Sequence, residues 1–263
     1  MKTNKASLAG LLLCFLTILF GLAANGGISE AFHFIHFPSL VVTIGGSFFA
    51  VLITADSFYD FILGLSGIKN ALTEQNVQNS DIMEQIYELS EIARREGLLA
   101  LEEQSGQLTN AFLKKGIILI VDGTDPELIR DILEAQMDTK QKKCVKQIHF
   151  WQDLGAYAPA WGMLGTLIGL INMMNTMGTN PSAIGSGMSL ALITTLYGSI
   201  LANWICIPVA RRLEKKAGAE YLSDRIVVEG VLSIQAGENT RIIKEKMRSF
   251  VEEEMEVRKL EEE

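Results

Sequence analysis

Four long apolar stretches alternate with charged segments along the 263-residue chain. Each stretch lacks Asp, Glu, Lys and Arg in its interior and approaches or exceeds the roughly 20 residues that a helix needs to cross a bilayer. The pattern therefore predicts four transmembrane helices, at about 6–24, 37–55, 154–174 and 183–210. The first stretch could also be a signal peptide, but it is longer than a usual signal core of about 7–15 residues, and a second span follows at once.

The distribution of Lys and Arg predicts the orientation of these helices. The N-terminus holds 2 of the 23 basic residues, the segment 56–153 holds 10 and the chain after Ala210 holds 11. The short connections 25–36 and 175–182 hold none. Because basic residues accumulate on the cytoplasmic side, both termini and the middle segment are expected there. The chain is thus expected to be a multi-pass protein of the cytoplasmic membrane.

Helical patterns continue between the second and third spans. Ile82, Ile86 and Leu89 recur at the spacing of one helix face, and Gly97 interrupts that helix. A second helix is predicted from Asn110 to Val121. Asp125-Pro126-Glu127 is a strong helix start, because it combines a capping carboxylate, an N-terminal proline and an acid in the first turn. This third helix is expected to run straight into the third span.

These patterns together predict an all-α membrane protein. We divide it into transmembrane helices one and two (1–55), a helical cytoplasmic domain (56–153), transmembrane helices three and four (154–210) and a helical cytoplasmic C-terminal tail (211–263).

The composition agrees with a membrane protein and excludes several functions. The chain is 48% apolar and only 21% charged, with a mean hydropathy of +0.23, whereas soluble domains carry about 25% charge. The net charge of −8 argues against nucleic-acid binding. Three distant cysteines do not suggest a disulfide framework or a zinc site. No phosphate loop, metal cluster or nucleophile–base pair is recognisable, so neither enzymatic activity nor a bound cofactor is expected.

The absence of charge from the span interiors limits what this chain does alone. Proton relays and ion sites in membranes are marked by charged side chains. If the chain takes part in ion movement, the carboxylate therefore has to come from another chain.

Small residues recur along one face of the third span and one face of the fourth, a pattern that lets helices pack closely. They are Ala158, Gly162, Gly165 or Thr166, and Gly169 in the third span, and Gly187, Ala191, Thr194, Gly198 and Ala202 in the fourth.

Two prolines and several hydroxyls suggest a functional surface on the same spans. Pro159 and Pro208 leave the carbonyls of Gly155 and Trp204 without their helical donors. The hydroxyls belong to Thr166, Thr194 and Thr195. They either bond back to their own helices or help to coordinate a passing cation beside a partner's acid.

Five motifs in order along the chain resemble the flagellar stator A subunit, the MotA/PomA family. The motifs are Ala93–Glu102, Val121-Asp122-Gly123, Ala158–Thr166, Thr194–Gly198 followed by Ile207-Pro208, and Glu229–Gly237. Each motif alone is weak, but their combination at the family's spacing is specific.

The resemblance implies a ring of five such chains around two copies of a single-span B subunit of the MotB/PomB type. That partner would supply the membrane aspartate and a peptidoglycan anchor, and ion flow would drive the ring against the rotor protein FliG. Arg94 and Glu102 match the family's rotor-facing charges, with Arg95 and Glu96 in the same motif. Without the resemblance, these charges would be interpreted as an ordinary solvated surface. Membrane lipids are also expected to contact the chain, and nucleic acid is not expected as a partner.

One alternative remains open for the transported ion, and one for the class of membrane protein. Gly165-Thr166 and Thr194–Gly198 resemble sodium-driven stators, so sodium is expected, with the proton as the alternative. The alternative class is a proton-channel subunit of the ExbB/TolQ type, which normally has three spans and lacks the Arg94-Arg95-Glu96-Gly97 string. Pro159, Thr166, Thr194, Thr195 and Pro208 are the expected ion-pathway residues.

Overall fold

The computed structural model describes residues 5–24, 34–73, 79–176 and 183–250, with side-chain environments for 9–21, 34–73, 79–176 and 184–250. The regular elements of these ranges are helices, as the sequence predicts. They are α1 (Lys5–Ala24), α2 (Phe37–Thr54), α3 (Phe58–Leu72), α4 (Asn79–Glu96), α5 (Leu101–Ser105), α6 (Ala111–Val121), α7 (Pro126–Thr176), α8 (183–235) and α9 (240–250).

Among the described residues, three helical segments are long and apolar enough to cross a membrane. They are Phe37–Thr54, Pro126–Thr176 and Ile184–Gln235. These segments contain the predicted second, third and fourth spans. The first predicted span coincides with α1, which is 20 residues long, but the part of α1 with described side chains forms only the shorter apolar helix Ala9–Gly21. The total of four spans therefore stays a prediction.

The predicted helix ends are confirmed by hydrogen bonds and backbone angles. Asn110 caps α6, since its Oδ1 accepts from the backbone N–H groups of Phe112 at 2.9 Å and Leu113 at 3.1 Å. Asp125 Oδ1 accepts from the N–H of Glu127 at 3.0 Å at the start of α7. Gly97 ends α4 with a φ of 90°, a conformation that side chains with a Cβ disfavour.

Two apolar helices contain π-helical turns that the sequence did not predict. One covers Val41–Gly45 in α2. The other, Leu201–Cys206, divides α8 and ends two residues before Pro208. Since a π-turn changes which carbonyl each N–H reaches, it accommodates a residue that lacks an N–H. Pro159, in contrast, lies inside continuous α7.

The chain divides into two compact units. The membrane unit consists of 1–75 and 144–215, and the globular unit consists of 76–143 and 216–263. In the membrane unit, Trp151 Nε1 donates to the carbonyl of Gly64 at 3.0 Å, and the rings of Phe61 and Phe150 meet edge to face at 5.3 Å. Lys146 pairs with Asp60 at 2.9 Å nearby.

The globular unit has one apolar core built from both of its chain segments. The predicted face of α4 is confirmed, because Ile82, Ile86 and Leu89 are buried in this core. Residues of α8 such as Ile226 and Val231 are fully buried in the same core. The segment after the fourth span therefore shares its core with the segment between spans two and three.

An ion pair between the exposed Lys140 and the buried Asp224 links these segments at the edge of the core. Lys140 Nζ lies 2.9 Å from Asp224 and 3.4 Å from Glu220. Burial raises the pKa of the Asp224 carboxyl, against the lowering effect of Lys140. Burial by itself lowers the pKa of Lys140, but hydrogen bonds and charges from the two acids outweigh it and leave that pKa raised. Lys140 therefore stays charged at neutral pH.

Candidate functional site: a hydroxyl pair in the membrane and a charged turn

The predicted small-residue stripes of α7 and α8 face each other. A Cβ added at Gly162 would lie 2.9 Å from the carbonyl oxygen of Thr194, and one at Gly198 would lie 2.5 Å from that of Ala158. Gly169 and Gly187 approach each other's helices in the same way. The backbones of the two helices are thus in direct contact, as the packing interpretation of the stripes required.

Two of the three predicted threonines meet on this helix pair. Thr166 Oγ1 lies 2.5 Å from Thr195 Oγ1, and 2.9 Å and 3.1 Å from the carbonyl oxygens of Ala191 and Gly162. Thr195 Oγ1 lies 3.4 Å from the same Ala191 carbonyl. Two hydroxyls and two carbonyls therefore converge, with Thr195 exposed and Thr166 half-buried.

The third threonine has a different role in the structure. Thr194 is fully buried, and its hydroxyl donates to its own helix, with the Ala191 carbonyl at 2.9 Å and the Leu190 carbonyl at 3.1 Å. Its side chain fills the space in front of Gly165, where a Cβ would approach Thr194 Cγ2 to 2.5 Å. Packing between helices is the role that this geometry supports for Thr194.

The two prolines occupy different surroundings. Pro159 is exposed, seven residues before Thr166, and therefore lies on the face of α7 that carries the hydroxyl pair. Pro208 is also exposed, but it lines a groove together with residues of α1. Among the residues that the structure describes, no hydrogen bond joins Pro208 to the hydroxyl pair.

A buried polar stripe on α2 was missed by the sequence reasoning. Ser39, Thr43 and Ser47 have no exposed surface, and Thr43 Oγ1 lies 3.4 Å from the carbonyl oxygen of Thr194. Three hydroxyl residues spaced by four in an otherwise apolar helix are the pattern that could have revealed it. The stripe connects α2 to the helix pair just beside the hydroxyl pair.

The predicted rotor-facing charges lie on a turn of the globular unit, which we call the charged turn (94–103). Arg94, Arg95 and Glu96 end α4, and Glu102 lies in the first turn of α5. All four side chains are exposed, and Arg95 pairs only with Glu91, at 3.2 Å, among the described residues. Leu101 is fully buried and anchors the turn to the core. The structure thus presents the four charges to solvent on a fixed support.

Within the described ranges, no three His, Cys, Asp or Glu side chains come together as metal ligands. The spans Phe37–Thr54, 154–176 and 183–210 contain no charged residue. Hydroxyl and carbonyl oxygens are therefore the polar groups that these spans offer to an ion.

Comparisons with known proteins agree with these features. Residues 104–223 match the MotA/TolQ/ExbB proton channel family. Motility protein A of Treponema phagedenis is 35% identical over 94% of both chains. Chemotaxis protein PomA of Vibrio alginolyticus is 34% identical over 95% of this chain and 96% of its own length.

Solved stator structures share the fold. The C. jejuni MotAB structure superposes with a TM-score of 0.83 at 25% identity, covering 94% of this chain and 95% of that one. The flagellar MotAB stator complex of Bacillus subtilis gives 0.82 at 29% identity, covering 94% and 96%. The chain therefore belongs to the MotA/TolQ/ExbB family, as one of its flagellar stator A subunits.

Proposed function

We propose that this chain assembles with a single-span B subunit of the MotB/PomB type and couples ion flow across the cytoplasmic membrane to torque on the rotor protein FliG. Five copies surround two B subunits, and the B subunit contributes the membrane carboxylate. All four predicted spans cross the membrane, and both termini are cytoplasmic. The observation that carries the proposal is the Thr166–Thr195 hydroxyl pair, which lies on an exposed face of the close-packed, charge-free spans of α7 and α8.

The surroundings of this pair suit a face that meets a partner helix. Met163 is 64% exposed and Leu167 is 51% exposed, on either side of Thr166. An exposed apolar face that contains hydroxyls is suited to a partner helix that brings one polar group into the membrane. The partner's carboxylate and the two hydroxyls would then form the ion's path.

The dependence on a B subunit can be tested directly. We expect membrane vesicles containing this chain alone to show no ion leak above that of empty vesicles, because its spans hold no Asp, Glu, Lys or Arg. A strain lacking its own stator genes should swim only when the chain and its B subunit are produced together. An Asp→Asn change in the B-subunit span should abolish swimming without removing the complex. Strong conductance by the chain alone would refute the proposed division of roles.

The hydroxyl pair also favours sodium as the transported ion. A sodium ion must replace its hydration shell with oxygen ligands, whereas a proton needs only a carboxylate and a hydrogen-bonded path. The carboxylate supplies at most two oxygens, and Thr166 and Thr195 supply two more at 2.5 Å from each other. We expect swimming speed to rise and saturate with sodium at constant pH and ionic strength.

Substitution of Thr166 separates this role from packing. Thr166→Val keeps the shape but removes the hydroxyl, so half-maximal speed should require about tenfold more sodium. Thr166→Ser should retain the original response. Thr54→Val is a matched control, since Thr54 is an exposed threonine in α2 whose hydroxyl donates to the Val51 carbonyl. Speed that ignores sodium but collapses with a proton uncoupler would show a proton-driven motor.

A further inference from the structure

A groove of about 670 Å³ lies on the membrane unit, within the size range of ligand sites. Its walls are α1, the end of α3 and the face of α8 from Ser199 to Arg212. On α1 the wall includes small residues such as Gly10 and Cys14. The Cβ position of Gly10 has no other heavy atom within 4 Å, so the groove is open at this point.

One polar group in the groove wall lacks a partner. The indole Nε1 of Trp204 is buried and has no acceptor among the described residues. The Trp204 ring stacks on Phe15, with ring centres 6.0 Å apart and planes 14° apart. The neighbouring Asn203 amide donates to the Ser199 carbonyl at 3.0 Å and accepts no hydrogen bond from the Trp204 indole. Since buried indole N–H groups normally find an acceptor, Trp204 needs one from beyond the described residues.

A cation lies at one end of the same groove. Arg212 lines the groove and is half-buried. None of the ion pairs formed by the described residues includes it. It belongs to a cluster of four cations within six residues, Arg211, Arg212, Lys215 and Lys216, directly after an apolar span. Basic clusters in this position attract anionic lipid headgroups.

We infer that this groove binds an anionic phospholipid. The acyl chain lies against the apolar walls of α1 and α8, the Trp204 N–H donates to an ester carbonyl, and Arg212 binds the phosphate, whose negative charge is not neutralised by a cation in the headgroup of an anionic phospholipid. A protein helix, from a second copy of this chain or from another protein, would also cover the apolar walls, but the Trp204 N–H and Arg212 together match the two polar groups that every phospholipid brings beside its acyl chains, the ester carbonyls and the phosphate.

Fluorescence quenching in nanodiscs tests the inference on the intact complex of this chain with its B subunit. The probes are phosphatidylglycerol and phosphatidylcholine with brominated acyl chains, each titrated into unbrominated phosphatidylcholine. The fluorescence of Trp204 is identified as the part of the quenched signal that the Trp204→Phe variant lacks. We expect brominated phosphatidylglycerol to half-quench this fluorescence at about fivefold lower mole fraction than brominated phosphatidylcholine.

Three variants assign the effect to the groove. Arg212→Gln should remove most of the preference for phosphatidylglycerol, Arg212→Lys should restore much of it, and Arg211→Gln, at an exposed neighbour outside the groove wall, should reduce it far less than Arg212→Gln does. Gly10→Leu should fill the groove and weaken quenching by both lipids. Equal quenching by the two lipids in the unchanged chain would overturn the inference. An absence of quenching at Trp204 would also overturn it, since that result is expected if a protein helix fills the groove.

Discussion

Replacing Gly198 by alanine is expected to destabilise the stator although alanine is the better helix former. The added Cβ would lie 2.5 Å from the carbonyl oxygen of Ala158 and 3.2 Å from Cα of Pro159. Both atoms belong to backbone, so the helices have to separate rather than a side chain rotate. Overpacking of this kind costs about 1–3 kcal/mol. The apparent melting midpoint of the purified complex should fall by about 5 °C, and Gly198→Val should abolish assembly and swimming.

The control lies in the same helix. Gly185 has no other heavy atom within 4 Å of its Cβ position. Gly185→Ala should therefore be neutral or slightly stabilising, since alanine in a helix is favoured over glycine by about 0.5–1 kcal/mol. If the melting midpoint falls for Gly198→Ala and stays or rises for Gly185→Ala, the loss of stability is due to the contact between α7 and α8. If Gly198→Ala leaves the complex as stable as Gly185→Ala does, the close approach of the two backbones is wrong.

Reversing the charges of the charged turn is expected to abolish swimming while the protein stays in the membrane. Arg94→Glu combined with Glu102→Lys inverts two exposed side chains whose contacts within the chain are few. The substitutions place unfavourable charges at helix ends, which costs about 0.3–1 kcal/mol each. The membrane level should therefore change little. Loss of torque would follow because complementary charges on the rotor would now repel.

Two further measurements make this test specific. Lys142→Glu with Glu245→Lys reverses one basic and one acidic residue at exposed positions elsewhere in the globular unit and should leave swimming intact. Complementary reversals on FliG should restore part of the lost motility in the charged-turn variant. Normal swimming of that variant, at normal membrane level, would remove Arg94 and Glu102 from the rotor interface.

Much of the local structure could be predicted because it depends on neighbours in the chain. The ends of α6 and α7 were predicted from Asn110 and Asp125-Pro126, whose side chains or ring act on the next two or three residues. The apolar face of α4 was predicted from a spacing of three and four residues. The small-residue stripes likewise predicted the close contact between the two helices.

The pairing within the site could not be predicted in the same way. Thr194 and Thr195 are consecutive and chemically identical, so sequence reasoning placed both in the ion pathway. In the structure, Thr194 is buried against Gly165, and only Thr195 reaches the hydroxyl of Thr166. Consecutive residues on a helix point about 100° apart, and the axis of the neighbouring helix decides which of them meets a partner.

The sequence by itself determined the helices, their apolar segments, the charge-free spans and the family, since each follows from local pattern or from motifs in order. The small-residue stripe already separated Gly198 from Gly185, but the tertiary structure alone decided how little room a Cβ has at Gly198, because the atoms opposite it belong to another helix. The tertiary structure also placed residues 222–234, which follow the last predicted span, in one core with α4 and α6. Such contacts join residues more than a hundred positions apart, and burial of apolar surface from both segments, rather than any local preference, selects them.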